Sequence, residues 1–466
     1  MLDSASHQSS LKRAAVNDLG CESWHSEKKL KSRWGTVPEA PRREALLQSS
    51  GWPMDLLHDE AKQPKVVRSA KEFVRELYYG NHLDEIVVLK DGVQLLQQEN
   101  ALPHAISTAA RSARTVREFL HALGDEVLES HNGRIYYADD TGRFLDQLRE
   151  DPESKAQLSN LREKLAAINK EKAAGDASMY LAELRRKTKF RHPSDNHWAK
   201  TALNTDVKDY VGVERAGIMP YWDRYDEGVF VGAAGAGSAM HVDQIGWSNI
   251  GKNYAGHKLL ALWPYGSASN VALDSHLDHL FAAPHGLESD DVAMLRSACK
   301  VALVEPGDVF VFSGAQAHAT VCVGEGLCLG AYESFVSLSP RHAHVFLSTN
   351  DPAVHFRECH ADEEDLRDIQ LDLADQLVYA MDEHLPKLEG AAAAAGEPPA
   401  EAGHTEDVDE AAEAAAMLRG AIEIFRSNPT LAQEIPEPPR AASGGAAFEP
   451  MGADAGSADA ECALAE

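Results

Sequence analysis

Three side chains in this sequence have the chemistry of a metal site: His241 and Asp243 in the segment GSAMHVD, and His318 in GAQAHAT. A histidine and an aspartate two positions apart on a strand point to the same face, because strand side chains alternate with period two. Two imidazoles and one carboxylate on one face, with other coordination positions open, form the ligand set of non-haem Fe(II) oxygenases. The sequence therefore predicts a catalytic metal centre with His241, Asp243 and His318 as ligands.

The surroundings of the His-x-Asp triplet add weight to a pattern that is weak alone. Taken by itself, the triplet is equally typical of a histidine bonded to a nearby carboxylate. The preceding run GAAGAGSAM consists of small residues, which permit close backbone approach and leave room for a ligand. Within that run, Ser238 is expected near the rim, where its hydroxyl could reach a bound carboxylate.

Lys258 opens the apolar run HKLLALWP, in which Lys258, Leu260 and Leu262 share one face of a strand. A lysine aligned with two leucines inside a barrel is costly unless its charge is paired. A bound dicarboxylate would supply that pairing. The alternative is that Lys258 faces solvent while the opposite face of the strand points inward, and alternation alone does not decide between them.

The elements that must position these residues follow from the pattern of apolar runs. Between about 205 and 350, strand-like runs such as GVFVG, DVFVFSG and HATVCVG are separated by Gly, Pro, Asp and Asn, which is typical of a sandwich or barrel. Before them, runs such as AKEFVRELYYG, ARTVREFLHALGDEVLE and DPESKAQLSNLREKLAAINKEKAA have helical periodicity. EIVVLKDGVQLL and GRIYYADDTG are typical of short strands.

Composition and periodicity together predict five segments. They are a mostly disordered N-terminal segment (1–63), a mainly helical accessory segment (64–200), the barrel (201–350), a C-terminal helical segment (351–388) and an acidic Ala/Glu/Pro-rich tail that is largely disordered (389–466). One helix is expected inside the tail, over EDVDEAAEAAAMLRGAIEIFRS. The helical segment before it is expected to cover the barrel or to form a homodimer contact.

Charge and cysteine usage exclude several classes of protein. With 45 Lys+Arg against 73 Asp+Glu, the formal charge of −28 argues against direct nucleic-acid binding and is compatible with a basic protein substrate. The six cysteines form no CxxC pair, so the sequence predicts neither a zinc ribbon nor a dithiol redox motif. No run is apolar enough to span a bilayer. We expect an intracellular protein, cytoplasmic or nuclear, without a membrane segment.

Residues 201–350 resemble a Jumonji C (JmjC) domain of the Fe(II)- and 2-oxoglutarate-dependent dioxygenases, which belong to the cupin-like superfamily. The resemblance rests on GSAMHVD, WSN, GHKLLALWP and PGDVFVFSGAQAHAT in this order. It implies an α+β protein built on a double-stranded β-helix, a cupin- or jelly-roll-like barrel with flanking helices. It also implies metal ligation by His241, Asp243 and His318, and cosubstrate contacts or pocket walls at Lys258, Ser238, Asn249 and Trp247.

The resemblance further implies a reaction. The cofactors would be Fe(II), the cosubstrate 2-oxoglutarate and O2, and the activity a hydroxylase acting on a protein or peptide, with release of succinate and CO2. A histone or protein lysine demethylase is the alternative, and a catalytically inactive JmjC-like binding scaffold is an alternative of another class. Family members often carry Asn before Phe in the last core strand, where this chain has Ser334 before Phe335.

Overall fold

A computed structural model describes most of the chain between residues 40 and 436, and the rest lies outside the described residues. The described ranges are 40–50, 52, 54–96, 102, 104–122, 128–130, 135–138, 144–146, 156–157, 179–186, 221–222, 228–243, 245–264, 296–337, 339–351, 361–395 and 405–436. In these ranges the protein is a mixed α+β structure with large, mainly antiparallel sheets.

Helices occupy both ends of the described chain, and strands lie mainly between them. The helices are α1 (Ala40–Gln48), α2 (Met54–His58), α3 (Ala70–Tyr79), α4 (Gly92–Leu95), α5 (His104–Ser112), α6 (Val116–Ala122), α7 (Pro340–Leu347), α8 (Glu363–Glu383), α9 (Leu385–Ala395) and α10 (Thr405–Ser427). The strands are β1 (Lys65–Val67), β2 (Val87–Leu89), β3 (Leu128–Ser130), β4 (Ile135–Ala138), β5 (Phe144–Asp146), β6 (Ala156–Gln157), β7 (Met179–Arg186), β8 (Tyr221–Trp222), β9 (Gly228–Gly232), β10 (Gly237–His241), β11 (Ser248–Ala255), β12 (His257–Leu262), β13 (Lys300–Val304), β14 (Val309–Ser313), β15 (His318–Val323) and β16 (Cys328–Val336).

The strands form two sheets. The larger has the order β1-β2-β14-β11-β16-β9-β7-β3-β6, with β4, β5 and β8 attached to its side, and the smaller has the order β10-β15-β12-β13. From β9 to β16 the chain therefore passes repeatedly from one sheet to the other: β9, β11, β14 and β16 lie in the larger sheet, and β10, β12, β13 and β15 in the smaller. The runs predicted between 205 and 350 are strands, as expected.

The two sheets pack face to face through an apolar inner layer. Leu260 and Leu262 of β12 contact a cluster that includes Phe310 and Phe312 of β14. Because strand side chains alternate, Lys258 belongs to the same inner row as Leu260 and Leu262, and only 2% of its surface is exposed. This placement decides between the two orientations that alternation left open: Lys258 points into the space between the sheets.

The outer face of the smaller sheet is covered by α1 and α2. Leu46, Leu47, Trp52 and Leu57 are buried there against residues of β12, β13 and β15. Disorder was expected over 1–63, but residues 40–50, 52 and 54–62 have defined positions in the structure. The apolar residues of this stretch form two clusters in sequence that are too short to show a helical period. The two helices form because their apolar residues pack against the smaller sheet. Residues 1–39 lie outside the described residues.

The outer face of the larger sheet is covered by α3 to α6, whose apolar side chains form one cluster with those of β9, β11, β14 and β16. Helix α3 begins after Ser69, whose hydroxyl accepts from the Glu72 amide, and ends at Gly80 in a left-handed conformation. The accessory segment contains more strand than expected. The predicted helix after Arg114 ends at Ala122, and the one over 151–174 lies outside the described residues except at β6.

Helices α7 to α10 pack together beside the sheets. Leu373 and Leu377 of α8 are buried against Leu418, Ile422 and Phe425 of α10. Helix α10 matches the helix expected inside the tail, so the tail is ordered at least to residue 395 and again over 405–436. The apolar face of α8 packs against other helices of this chain, and this packing tests neither the expected covering role nor the homodimer contact. Within the described residues, no helix is long and apolar enough to cross a membrane.

A chain of buried hydrogen bonds joins the accessory segment, β11 and α7. His82 Nε2 lies 2.9 Å from Ser248 Oγ, which lies 3.3 Å from His342 Nε2. His342 Nδ1 accepts from the Ser337 amide at 2.9 Å, so its Nε2 must carry the proton and donate to Ser248. Ser248 then donates to His82 Nε2, and His82 Nδ1–H faces the Glu76 carbonyl. Every member of the chain has a partner only while both imidazoles are neutral.

This chain predicts acid sensitivity. Burial lowers the pKa of His82 to about 4, against the opposing hydrogen bond to Glu76. The unfolded protein therefore binds more protons than the folded one between pH 6.5 and 4. We expect the free energy of unfolding to fall by about 3 kcal/mol through His82 as the pH drops across this window. Urea unfolding at several pH values measures it. His82→Asn should flatten the profile, whereas His344→Asn, at an exposed position on α7, should not. An unchanged slope in His82→Asn would contradict the assignment.

Candidate functional site

His241, Asp243 and His318 come together at one end of the space between the sheets. Their ligand atoms all lie within 4.8 Å of one another. Asp243 Oδ1 is 3.8 Å from His241 Nε2 and 3.7 Å from His318 Nε2, and the two imidazole rings are tilted by 51° at a centroid distance of 4.2 Å. The three predicted ligands thus point at a common centre.

The strands reach this arrangement by a different route from simple alternation. His241 ends β10 and lies opposite His318, the first residue of β15. Ser238 lies opposite Thr320, so three positions on β10 oppose two on β15, and the extra residue forms a bulge. Asp243 is beyond the strand, where its amide donates to the Gly314 carbonyl at 2.8 Å. Alternation along a strand was therefore the wrong reason for the shared face; a bulge and a loop contact produce it.

The second oxygen of Asp243 is fixed by a relay of side chains. Asn249 Nδ2 donates to Asp243 Oδ2 at 2.6 Å, and Ser334 Oγ donates to Asn249 Oδ1 at 2.9 Å. Oδ1 is thereby left facing the two imidazoles. Such outer partners orient a ligating carboxylate. Asn249, predicted as a cosubstrate contact, is placed to orient the ligand Asp243, and Ser334 completes its hydrogen bonding from β16.

Gly314 leaves room for this carboxylate. A Cβ at position 314 would collide with Asp243 Oδ2 and would lie 2.9 Å from Asn249 Nδ2. The backbone of the same residue holds the loop, because its amide donates to the Trp247 carbonyl at 2.9 Å while its carbonyl accepts from Asp243. A side chain at 314 would therefore displace the carboxylate from the two histidines.

We expect Gly314→Ala to lower the affinity for Fe(II) or its Co(II) substitute by about 10- to 100-fold, the range seen when a ligand's outer partners are disturbed. The cause is the steric displacement of Asp243, so the fold should persist. A Co(II) titration followed by visible absorption measures the affinity. Gly390→Ala is the matched control, because nothing lies within 4 Å of a Cβ at that helical position. Equal affinities in the two variants would rule out the steric role of Gly314.

The electrostatics of the site suit a cation. Burial lowers the pKa of His318 to about 4, so the ring is neutral at pH 7. Its Nδ1–H faces the Gln316 carbonyl at 2.9 Å, which leaves the Nε2 lone pair directed at the site. Burial raises the pKa of Asp243, against the charge of His241 and the Asn249 hydrogen bond. A divalent metal would remove the cost of burying this carboxylate, so the donor set fits a metal.

Lys258 lies further along the same inner face, in an aromatic box. Its Nζ donates to Tyr332 Oη at 3.0 Å and to Tyr180 Oη at 3.2 Å, and it lies 6.0 Å from the Phe230 ring centroid. Burial raises the pKa of both tyrosines, so the phenols are neutral at pH 7. Among the described residues, no carboxylate forms an ion pair with this ammonium. A buried cation with neutral partners fits an anionic ligand.

The two other predicted contacts have different environments. Ser238 is half-buried and lies on the inner face because its cross-strand partner, Thr320, shares the face of His318. Trp247 was predicted as a pocket wall; its side chain packs against the cluster of helices α7 to α10. Its carbonyl accepts from the amides of Gly314 and Ala315, so Trp247 supports the loop that carries Asp243 through its backbone.

Several residues of the site were missed from the sequence. Tyr332 shares a face with Ser334, and period-two alternation in the run GAYESF could have revealed it. Tyr180 lies on β7 in the accessory segment, and no local signal connects it to Lys258. No pattern in the sequence distinguishes Gly314 from the other glycines, because its role depends on the contact with Asp243. Each of these depends on a contact between distant parts of the chain.

Comparison with known proteins adds no assignment. No protein-family model matches the chain, and no curated protein is similar to it at a significant level. The proposed function therefore rests on the site residues and their geometry.

Proposed function

We propose that this protein is an Fe(II)- and 2-oxoglutarate-dependent dioxygenase of the JmjC type that hydroxylates a protein side chain. One observation carries the proposal: two imidazoles and a carboxylate converge within 4.8 Å, and a buried lysine with neutral partners lies on the same inner face. The metal triad alone would fit many metalloproteins. The added lysine favours an anionic cosubstrate bound beside the metal.

The strand order supports the proposed fold. In a double-stranded β-helix, consecutive strands alternate between two facing sheets, and the site lies between them. Strands β9 to β16 follow this alternation, except that β12 and β13 are neighbours in the smaller sheet. The accessory strands extend the larger sheet at both edges, and helices cover the outer faces. This architecture is the part of the JmjC resemblance that backbone topology supports.

In the proposed mechanism, His241 Nε2, His318 Nε2 and Asp243 Oδ1 hold the iron. When bound, the iron supplies the oxidative chemistry that couples decarboxylation of 2-oxoglutarate by O2 to oxidation of a substrate C–H bond. Asn249 keeps Asp243 turned toward the two imidazoles, and the Gln316 carbonyl keeps His318 in the tautomer that can ligate. The protein's contribution is a fixed ligand geometry.

Lys258 binds the far carboxylate of the cosubstrate. On β12, Lys258 lies four residues from Leu262, the cross-strand partner of His318, which separates the two positions by roughly 13 Å along the strand. The lysine side chain covers part of this distance, and a five-carbon dicarboxylate can bridge the rest. Leu260 and Phe312 form apolar walls between the two ends and exclude water from the reaction.

The substrate is expected to approach from the His241 side. The side chain of His241 is 41% exposed, against 5% for His318, so the site opens toward solvent at the end of β10. A protein or peptide side chain could reach the metal from there. Hydroxylation of a carbon gives an alcohol, whereas the same chemistry on an N-methyl group would release formaldehyde, which is the demethylase alternative.

The deciding experiment measures succinate formation by the full chain with Fe(II), 2-oxoglutarate, ascorbate and a peptide pool. We expect succinate to form and a peptide to gain one oxygen atom, with no formaldehyde. Formaldehyde would favour the demethylase. No succinate with any peptide, together with bound zinc instead of iron, would favour a binding scaffold that does not turn over.

A further inference from the structure

Two buried thiols lie near Lys258 between the sheets. Cys322 is on β15 and Cys328 begins β16, and neither is more than 3% exposed. Cys322 is the cross-strand partner of Lys258, so both side chains point between the sheets. The chain passes from the smaller sheet to the larger between Cys322 and Cys328, and the two side chains meet in one buried cluster.

The two cysteines belong to one cluster of buried side chains, together with Tyr180 and Ala236. The Cys328 thiol donates to Asn253 Oδ1 at 3.5 Å. Gly232 lies directly opposite Cys328 on β9, and a Cβ there would be 2.7 Å from Cys322 Sγ. The sulfur of Cys322 therefore rests against the backbone opposite Cys328, in a gap that exists because residue 232 has no side chain.

The pair is built for asymmetric reactivity. The adjacent Cys322 thiol and the positive charge of Lys258 lower the pKa of Cys328, against the effect of burial. The adjacent Cys328 sulfur and burial raise the pKa of Cys322. Burial raises the pKa of Cys299, on the other side of the smaller sheet, to about 11. Of the two neighbouring thiols, Cys328 is therefore the one whose pKa is lowered.

We propose that Cys322 and Cys328 form a peroxide-sensitive dithiol that closes to a disulfide beside Lys258. The Cys328 thiolate attacks hydrogen peroxide, an S–O bond forms as the O–O bond breaks, and hydroxide leaves with a sulfenic acid on Cys328. The Cys322 thiol then attacks that sulfur, and the S–O oxygen leaves as water. In total, two thiols and one peroxide give one disulfide and two water molecules.

The rate at which the dithiol is oxidised should also depend on whether 2-oxoglutarate is bound at Lys258, an expectation that rests on the proposed function. A carboxylate bound to Lys258 would neutralise the positive charge that lowers the pKa of Cys328. Oxidation should therefore be slower when 2-oxoglutarate is bound. The dithiol would be oxidised in protein without bound 2-oxoglutarate and would be protected in protein that has 2-oxoglutarate bound.

The test treats the reduced full chain with hydrogen peroxide in the presence of a chelator, which prevents radical formation by stray iron. Free thiols are then alkylated, and tryptic peptides are analysed by mass spectrometry without reduction. We expect the peptide that contains both cysteines to lose two hydrogens, about 2 Da, and to escape alkylation, while Cys299 is alkylated. Alkylation of both thiols after peroxide treatment of the folded protein, or oxidation of Cys299 at the same rate, would overturn the proposal.

Two variants test the assigned roles. In Cys322→Ser, the sulfenic acid on Cys328 should persist and be trapped by a 1,3-dione. In Cys328→Ser, oxidation of Cys322 should be at least about tenfold slower than disulfide formation in the wild type, because the low-pKa thiol is gone. Equal reactivity of Cys322 would reject the asymmetry. The wild-type result stands by itself if either variant fails to fold.

The last arm repeats the oxidation with saturating 2-oxoglutarate, whose binding is measured separately by calorimetry. Slower disulfide formation supports the dithiol and its position beside the bound anion. If the disulfide forms at an unchanged rate while 2-oxoglutarate is bound, the dithiol proposal stands, and the proposal that 2-oxoglutarate binds at Lys258 is rejected. If 2-oxoglutarate binds but no disulfide forms when 2-oxoglutarate is left out, the dithiol proposal is rejected and the proposed function is not.

Discussion

Asp243→Ala should abolish succinate formation and lower Fe(II) affinity by more than the ~100-fold typical of outer-partner changes. Asp243 supplies the carboxylate of the triad, and its Oδ1 lies within 3.8 Å of the Nε2 atoms of His241 and His318. Without it, only the two imidazoles remain to hold a dication. Metal binding by calorimetry and succinate by mass spectrometry measure the two losses.

The stability of the same variant distinguishes a functional residue from a structural one. The carboxylate is partly buried, with 22% of the side chain exposed, and burial raises its pKa, so its ionised form destabilises the metal-free fold. Metal-free Asp243→Ala should therefore melt at or above the wild-type temperature, whereas the stabilisation by added metal should disappear. Asp372→Ala, at an exposed position on α8, is the control and should behave as the wild type in every assay. Wild-type activity in Asp243→Ala would refute the metal assignment.

Lys258→Ala should raise the KM for 2-oxoglutarate by at least about thirtyfold and leave Fe(II) affinity unchanged. Truncating one partner of a buried charge pair costs about 2–5 kcal/mol, and the lower end corresponds to about thirtyfold. The ammonium lies between Tyr180 and Tyr332, four residues along β12 from the partner of His318, so its loss affects the anion and not the metal. Succinate formation at varied cosubstrate concentration gives KM and kcat separately.

Two further variants separate charge from packing. Lys258→Met fills the same space without charge and should raise KM as alanine does. Lys300→Ala removes an ammonium on the neighbouring β13 that donates to the Ala61 carbonyl at 2.9 Å, and it should leave KM unchanged. A KM within twofold of wild type in Lys258→Met would mean that the cosubstrate carboxylate binds elsewhere.

The sequence predicted those parts of the fold that local patterns determine. Strands such as β14 are continuous apolar runs because both of their faces are buried, and Gly, Pro and Asp mark their ends. Helices α3, α8 and α10 have the expected periodicity because one face is buried and the other meets water. The run YLAEL in β7 has leucines at helical spacing but pairs with β9, so a tertiary contact decides its conformation. The conformation of α1 and α2 likewise depends on a distant sheet face.

The sequence predicted which residues form the candidate site, but it did not predict the contacts that hold them in place. His241, Asp243, Lys258 and His318 stand out because few other roles require these residues in this order. Their positions depend on the β10 bulge, on the Gly314 contact and on β16, all of which join segments far apart in sequence. The contact between Cys322 and Cys328 was likewise hidden, because the spacing of the two residues matches no local motif and only the crossing between sheets brings them together.

The position of Tyr180 means that the surroundings of Lys258 extend beyond residues 201–350. This phenol contacts the ammonium of Lys258 from β7, which precedes that range in sequence and pairs with β9. A fragment that starts at residue 201 would keep the three metal ligands but lose one wall of the anion pocket. Such a fragment should load iron yet use cosubstrate poorly, and a separately supplied N-terminal piece should restore that use. Under the proposed function, the accessory segment would thus contribute to cosubstrate binding, and exchanging it between related barrels would change cosubstrate affinity as well.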